Sequence, residues 1–118
     1  MELKLVNLTL HEVVVYDGDR AAMRFPPGEV MARIVEHDAD GGNVATDLGA
    51  IPVLNIAHSA EVAHLPAPQP GVGYFVSRFL AARVPRNDLY FPADEVRDEN
   101  GRIIGCRALG RFVGGTDA

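Results

Sequence analysis

Residues 96–106 read VRDENGRIIGC. Asn100-Gly101 is the favoured pair for a tight two-residue hairpin turn, because both central positions then need positive φ. The flanking runs, Val96-Arg97 before and Ile103-Ile104-Gly105-Cys106 after, are β-prone. A two-residue turn places Glu99 opposite Arg102, and that charge pair adds a few tenths of a kcal/mol (about 0.2–1). The C-terminal third therefore predicts an antiparallel hairpin.

The N-terminal third carries the same signature. Residues 4–10 alternate, with Val6, Leu8 and Leu10 on one side and Asn7, Thr9 and His11 on the other. Period 2 marks a half-buried strand. Val13-Val14-Val15-Tyr16, the turn signal Asp17-Gly18-Asp19 and residues 21–25 predict a hairpin over residues 13–25. Pro26-Pro27-Gly28 then stops the strand, since proline donates no backbone hydrogen bond. Residues 30–35 read as a further strand with Val30, Ala32 and Ile34 on one face. Residues 37–50, HDADGGNVATDLGA, read as a polar surface loop. Residues 51–57 read as an edge strand because of Pro52.

Residues 65–73, LPAPQPGVG, form a stiff loop ahead of the clearest helical stretch, residues 74–84. There Val76, Phe79, Leu80 and Val84 recur at three- and four-residue spacing. Ser77 suits an N-cap, and Pro85 ends the helix because the residue before proline avoids helical geometry. These elements predict an α+β fold: a strongly bent, mainly antiparallel sheet or partial β-barrel with one short helix. Val6, Leu8, Val14, Ile34, Val53, Ile56, Phe79, Leu80, Ile103 and Cys106 are the expected core. A single compact domain spans residues 1–113, with a flexible tail at 114–118.

The chain of 118 residues has 47% hydrophobic and 23% charged residues, as expected of a folded domain rather than a disordered one. Its formal charge of −5 disfavours general binding to nucleic acid or an anionic membrane, which needs concentrated positive charge. Arg78, Arg83, Arg86, Arg97, Arg102, Arg107 and Arg111 read as solvated surface with the option of a local basic patch. One cysteine allows no intramolecular disulfide and suits a reducing compartment. No apolar run approaches the ~20 residues of a membrane helix, and the N-terminus lacks a signal-peptide pattern. The expected location is the cytoplasm.

Asn7, Thr9 and His11 share one polar strand face and are candidate ligand-binding residues, together with Ser77 and Arg78 at the helix start. His37, Asp38 and Asp40 offer metal-ligand atoms, as do the dispersed His11, His58 and His64. Neither HExxH, CxxC nor a calcium-loop spacing is present, so no metal and no cofactor are expected. Gly71, Gly73 and Ser77 lack the phosphate-loop spacings, and GYFVSRF around Ser77 is not a nucleophile elbow. Cys106, within IIGCRAL, reads as a buried inert thiol. Tyr74, Phe75, Tyr90, Phe91 and Phe112 read as core ahead of interface.

The opening VNLTLH and the later VSRFLAARVPRNDLYFP and VRDENGRIIGCRAL resemble small proteins of unassigned function from actinobacteria and their phages. Leu10 stands where such relatives often carry proline. The resemblance covers about half the chain, at its two ends, implies an actinobacterial or phage origin, and carries over no catalytic residues. The reading is therefore a small soluble binding or interaction module with an unknown protein or small polar ligand as partner. The alternative is a small hydrolase or nucleotide-processing enzyme that uses the Asn7, Thr9 and His11 face.

Overall fold

A computed structural model describes residues 2–113. It confirms a β-rich α+β protein with one short helix and a strongly curled, half-barrel sheet. The predicted tail at 114–118 lies outside the described residues. The chain divides into two units, one of residues 1–33 and 64–118 and one of residues 34–63.

The larger unit contains β1 (Lys4–Asn7), β2 (Val13–Asp17), β3 (Arg20–Phe25), β6 (Val72–Phe75), α1 (Arg78–Arg83), β7 (Leu89–Arg97) and β8 (Ile103–Gly110). Its six strands lie in the order β1-β6-β7-β8-β2-β3. The longer ladders, β2 with β3 and β7 with β8, are antiparallel. β6 runs parallel to both β1 and β7, and β8 meets β2 in parallel at Val15 and Cys106. Parallel β6 and β7 require a crossover, which α1 supplies.

β6 is flanked by strands on both sides, and its VGYF sequence is apolar throughout. Such a run suits a strand covered on both faces. Phe75, Val76, Leu80, Leu89 and Cys106 are the largest fully buried side chains. Phe25 meets the Phe75 ring edge-on at 5.0 Å between centroids, joining β3 to the centre of the unit. This aromatic geometry adds to the gain from burial alone.

Tertiary packing shortens the predicted helix from its N-terminal side. Tyr74 and Phe75 belong to β6, and the helix starts only after Ser77, whose hydroxyl accepts the Leu80 N–H at 3.1 Å. Val84 closes it in extended geometry before Pro85. With Val76 outside the helix, the expected four-residue apolar stripe does not form. Leu80 and Ala81 face the core, while Phe79 is 41% exposed under the Arg83 guanidinium. Ile56 and Ile103, also expected in the core, are 57% and 53% exposed.

The first strand is likewise shorter than its alternation suggested. It ends at Asn7, Leu8 is buried, and Leu10 lies exposed beyond the bend. The cause is local: the Asn7 side chain accepts the Thr9 backbone N–H at 2.9 Å and turns the chain.

The smaller unit corrects the reading of residues 37–50 as a loop. β4 (Arg33–Thr46) and β5 (Gly49–Ala63) form a two-stranded antiparallel hairpin. Neither of its faces is extensively buried, so its sequence shows no apolar alternation to read. Only backbone pairing and the tight turn at Asp47-Leu48 reveal it. Val30, predicted to share a strand face with Ala32 and Ile34, precedes β4 and is exposed, whereas Ala32 and Ile34 are buried.

The C-terminal hairpin is present with a different turn. Asp98 O accepts the Gly101 N–H at 2.9 Å, and Asp98 N donates to Arg102 O at 2.8 Å. Gly101 has φ +82°, while Asn100 is not at positive φ. This is a three-residue connection, so Asp98 rather than Glu99 faces Arg102, with 3.6 Å between their charged groups. Among the described residues no helix is long and apolar enough to cross a membrane.

Gly101→Val is expected to lower the stability of the fold by about 1 kcal/mol or more, since a β-branched residue resists positive φ. Denaturant titration of both proteins measures the shift, and coincident midpoints would refute the turn.

Candidate functional site

Asn7, Thr9 and His11 come together, but the first two are engaged with the chain itself. The Asn7 Nδ2 group donates to His11 O at 2.8 Å, Pro26 O at 2.8 Å and Phe25 O at 3.3 Å. Its Oδ1 accepts from both the Thr9 N–H and the Thr9 hydroxyl, at 2.9 and 2.7 Å. Asn7 ends β1 and Phe25 ends β3, the two outer strands of the sheet. One carboxamide therefore ties one sheet edge to the other. Gly28 N donates to Thr9 O at 2.7 Å beside it, and a Cβ at Gly28 would collide with the Asn7 carbonyl oxygen. His11 is exposed and contributes its backbone carbonyl to the knot.

Ser77 and Arg78 lie at the start of α1. The Ser77 hydroxyl caps the helix, and the Arg78 guanidinium lies 5.2 Å and 5.6 Å from the Phe91 and Phe112 ring centroids. Both contacts are structural ones that Ser/Thr caps and arginine–aromatic stacking supply.

The larger unit contains an open concavity of about 1130 Å³ between the Pro-rich loop, the end of α1 and the C-terminal segment. Pro68, Pro70, Ala82, Val84 and Phe112 give it apolar walls, and Arg83 and Arg86 bring charge. Its volume is slightly above the roughly 300–1,000 Å³ of typical small-molecule sites, and it is open to solvent.

Arg86 organises one wall. Its Nε and Nη2 donate to the two Asp88 carboxylate oxygens at 2.9 and 2.6 Å, and its Nη1 donates to Pro66 O at 2.9 Å. The forked geometry fixes the loop as well as the charge pair. Hydrogen bonding from Arg86 holds the Asp88 carboxyl below its ordinary range, against the opposing effect of burial. The same bond raises the already high Arg86 value. On the adjoining side, Arg111 reaches Asn87 O and the Tyr90 hydroxyl at 3.5 and 3.3 Å. Among the described residues, Arg78, Arg83 and Arg111 take part in no ion pair.

The concavity escaped the sequence reading. Its signals were the Pro-rich run at 65–70 and the arginines at 78, 83 and 86, but nothing in their spacing joins them to Phe112. Burial pushes the Cys106 thiol up, which keeps it protonated, and its Sγ lies 3.6 Å from Val14 O. Among the described residues, no three His, Cys, Asp or Glu side chains gather in a group able to hold a metal.

The hairpin unit has a separate chemistry. Glu36, Asp38, Asp40, Asp47 and Glu61 lie within residues 34–63, which contain no Lys or Arg. Their five negative charges equal the formal charge of the whole chain, so the remaining sequence is neutral. Val44, Leu48, Ile51, Leu54 and Ile56 are exposed on this hairpin, with Leu48 at 94%. Its turn is fixed: the Thr46 hydroxyl donates to Gly49 O at 2.7 Å and accepts the Leu48 N–H at 3.1 Å. Across the strands, His58 Nε2 lies 3.1 Å from a Glu36 carboxylate oxygen.

No protein-family model, curated protein or solved structure matches this chain.

Asn7→Ala is expected to destabilise the fold by about 2 kcal/mol or more, because several backbone groups lose their partner. His11→Ala is expected to change stability by less than about 0.5 kcal/mol, since its bonded carbonyl survives the substitution. Urea midpoints of the two variants measure this contrast; equal effects would remove Asn7 from its structural role. Because Asp88 is depressed in the fold, its contribution is complete above the unfolded value of about 3.9 and is lost as pH falls through the folded value. Asp88→Asn should therefore be less stable than wild type at neutral pH, with the gap narrowing below about pH 4. A gap independent of acid would refute the assignment.

Proposed function

We propose that this protein is a small binding module whose acidic hairpin, β4 with β5, docks on a protein partner bearing a basic surface. The observation that supports this reading is the combination on one hairpin of five carboxylates, no Lys or Arg beyond Arg33 at its base, and a turn that holds Leu48 at 94% exposure. A two-stranded hairpin alone in water is at best marginally stable, and exposed strand edges invite pairing. Covering Leu48 fully is worth about 2 kcal/mol, and the acidic side chains select a cationic surface around it. The same charges discourage indiscriminate edge-to-edge association, as edge charges do in native sheets.

The Asn7 and Thr9 groups are bonded to backbone rather than presented as a reactive set, which favours binding over catalysis in this reading. The resemblance of the chain's ends to small actinobacterial and phage proteins supplies a setting for the module and names no ligand.

A photoreactive amino acid at position 48, with position 99 as the control, tests the proposal in cells expressing the full chain. A discrete adduct at 48 that maps to a basic surface, and that disappears when Asp40 and Asp47 are changed to lysine, is expected. Labelling at 48 no greater than at 99 would overturn the docking-arm reading.

A further inference from the structure

We infer that the partner of the hairpin is a second copy of this chain, whose concavity beside α1 receives the Asp47-Leu48 turn. The inference rests on the docking-arm reading and gives it an occupant. The chain carries both halves of a complementary pair. One half is an acidic hairpin with no Lys or Arg past Arg33 at its base, ending in a nearly fully exposed leucine. The other is an open concavity with apolar walls, the mutually paired Arg86 and Asp88, and the cation Arg83.

Charge decides between self-pairing modes. Two hairpins laid together bring five carboxylates against five, with Arg33 at the base of each as their one cation, so their apolar gain is opposed by repulsion. Hairpin against concavity has the opposite character. Asp88 is already taken by Arg86 in a forked pair, whereas Arg83 takes part in no ion pair among the described residues and stacks on Phe79 at 3.5 Å. Arg111 adds positive charge beside the cavity, its Nη1 lying 3.5 Å from the carbonyl of the lining residue Asn87. An incoming Asp47 meets Arg83, and Leu48 meets Pro68, Val84 and Phe112.

The contact joins two different surfaces, so it is heterologous. A copy whose concavity is filled still has its own hairpin available, so two copies close reciprocally or association continues to a larger ring or an open filament. Increasing salt weakens the exposed part of the attraction.

Sedimentation of the full chain to about 200 µM, a range that populates weak interfaces near 1,000 Å², tests the inference. The wild type is expected to self-associate as concentration rises. Leu48→Asp removes the knob, and Ala82→Glu adds a carboxylate at an exposed lining position. Each should weaken association about tenfold or more. Asp47→Lys and Arg83→Glu are the second pair, and combining them in one chain should restore association. Amide fingerprints confirm that each variant is folded. Mixed together, Leu48→Asp and Ala82→Glu chains should form a one-to-one complex and nothing larger, because only one hairpin and one concavity remain intact.

A wild type that stays monomeric throughout would overturn the self-docking inference, as would association insensitive to Ala82→Glu or a mixture that fails to pair. If the chain is monomeric but position 48 cross-links to a different basic protein, self-docking falls and the docking arm stands. Without any specific cross-link at 48, both fall.

Discussion

The Asn7 carboxamide lies where the two outer strands of the curled sheet come closest to closing. β1 ends at Asn7 and β3 ends at Phe25, and the amide nitrogen donates to carbonyls at Phe25 and Pro26. Its oxygen simultaneously holds Thr9, which sets the bend after β1. An edge strand leaves backbone groups unpaired, and a buried or half-buried unpaired group is costly. Here one side chain meets part of that demand, at the carbonyls of Phe25 and Pro26. The close approach it requires also explains Gly28, because any Cβ there would strike the Asn7 carbonyl. The Phe25–Phe75 contact packs the same closure from inside.

Around this closure the larger unit distributes its chemistry conservatively. Its core is apolar, its single cysteine is fully buried, and no buried side-chain polar atom among the described residues lacks a partner. The Arg86–Asp88 fork ties the Pro-rich loop to the beginning of β7. That leaves a rigid wall on the concavity, and rigid elements position a binding surface better than mobile loops. The smaller unit differs in kind. Its strands are long and mostly exposed, and it holds the whole formal charge imbalance of the chain.

Legibility in the sequence followed burial. Val13 to Asp17 and Arg20 to Phe25 pair around a Gly18-Asp19 turn as the residues implied, since one hairpin face contacts the core. The helix cap at Ser77 and the stop before Pro85 were readable because both are local backbone effects. Asn7, Thr9 and His11 lie close together, with His11 taking part through its backbone carbonyl. Their direction was not readable, because the carbonyls that Asn7 meets include those of residues 18 and 19 positions away. The hairpin at residues 34–63 was legible only in pieces, as strands at 30–35 and 51–57 around a supposed loop at 37–50, for the converse reason: with little buried on either face, its polar and apolar residues follow no period.

By itself the sequence determined the β-rich character, the single short helix, the stop and turn positions, and the concentration of charge in residues 34–63, because each depends on residue type and near neighbours. Tertiary structure decided the rest. It converted Tyr74 and Phe75 from helix to a central strand by enclosing them between β1 and β7. It turned Phe79 outward once Val76 left the helix, and it chose a three-residue turn with Asp98, not Glu99, opposite Arg102. It also brought Pro68, Arg83 and Phe112 around one cavity. The physical reason is common to all of these: burial and hydrogen-bond closure are set by residues far apart along the chain, and they outweigh the fraction of a kcal/mol, roughly, by which local propensity distinguishes one ordinary residue from another.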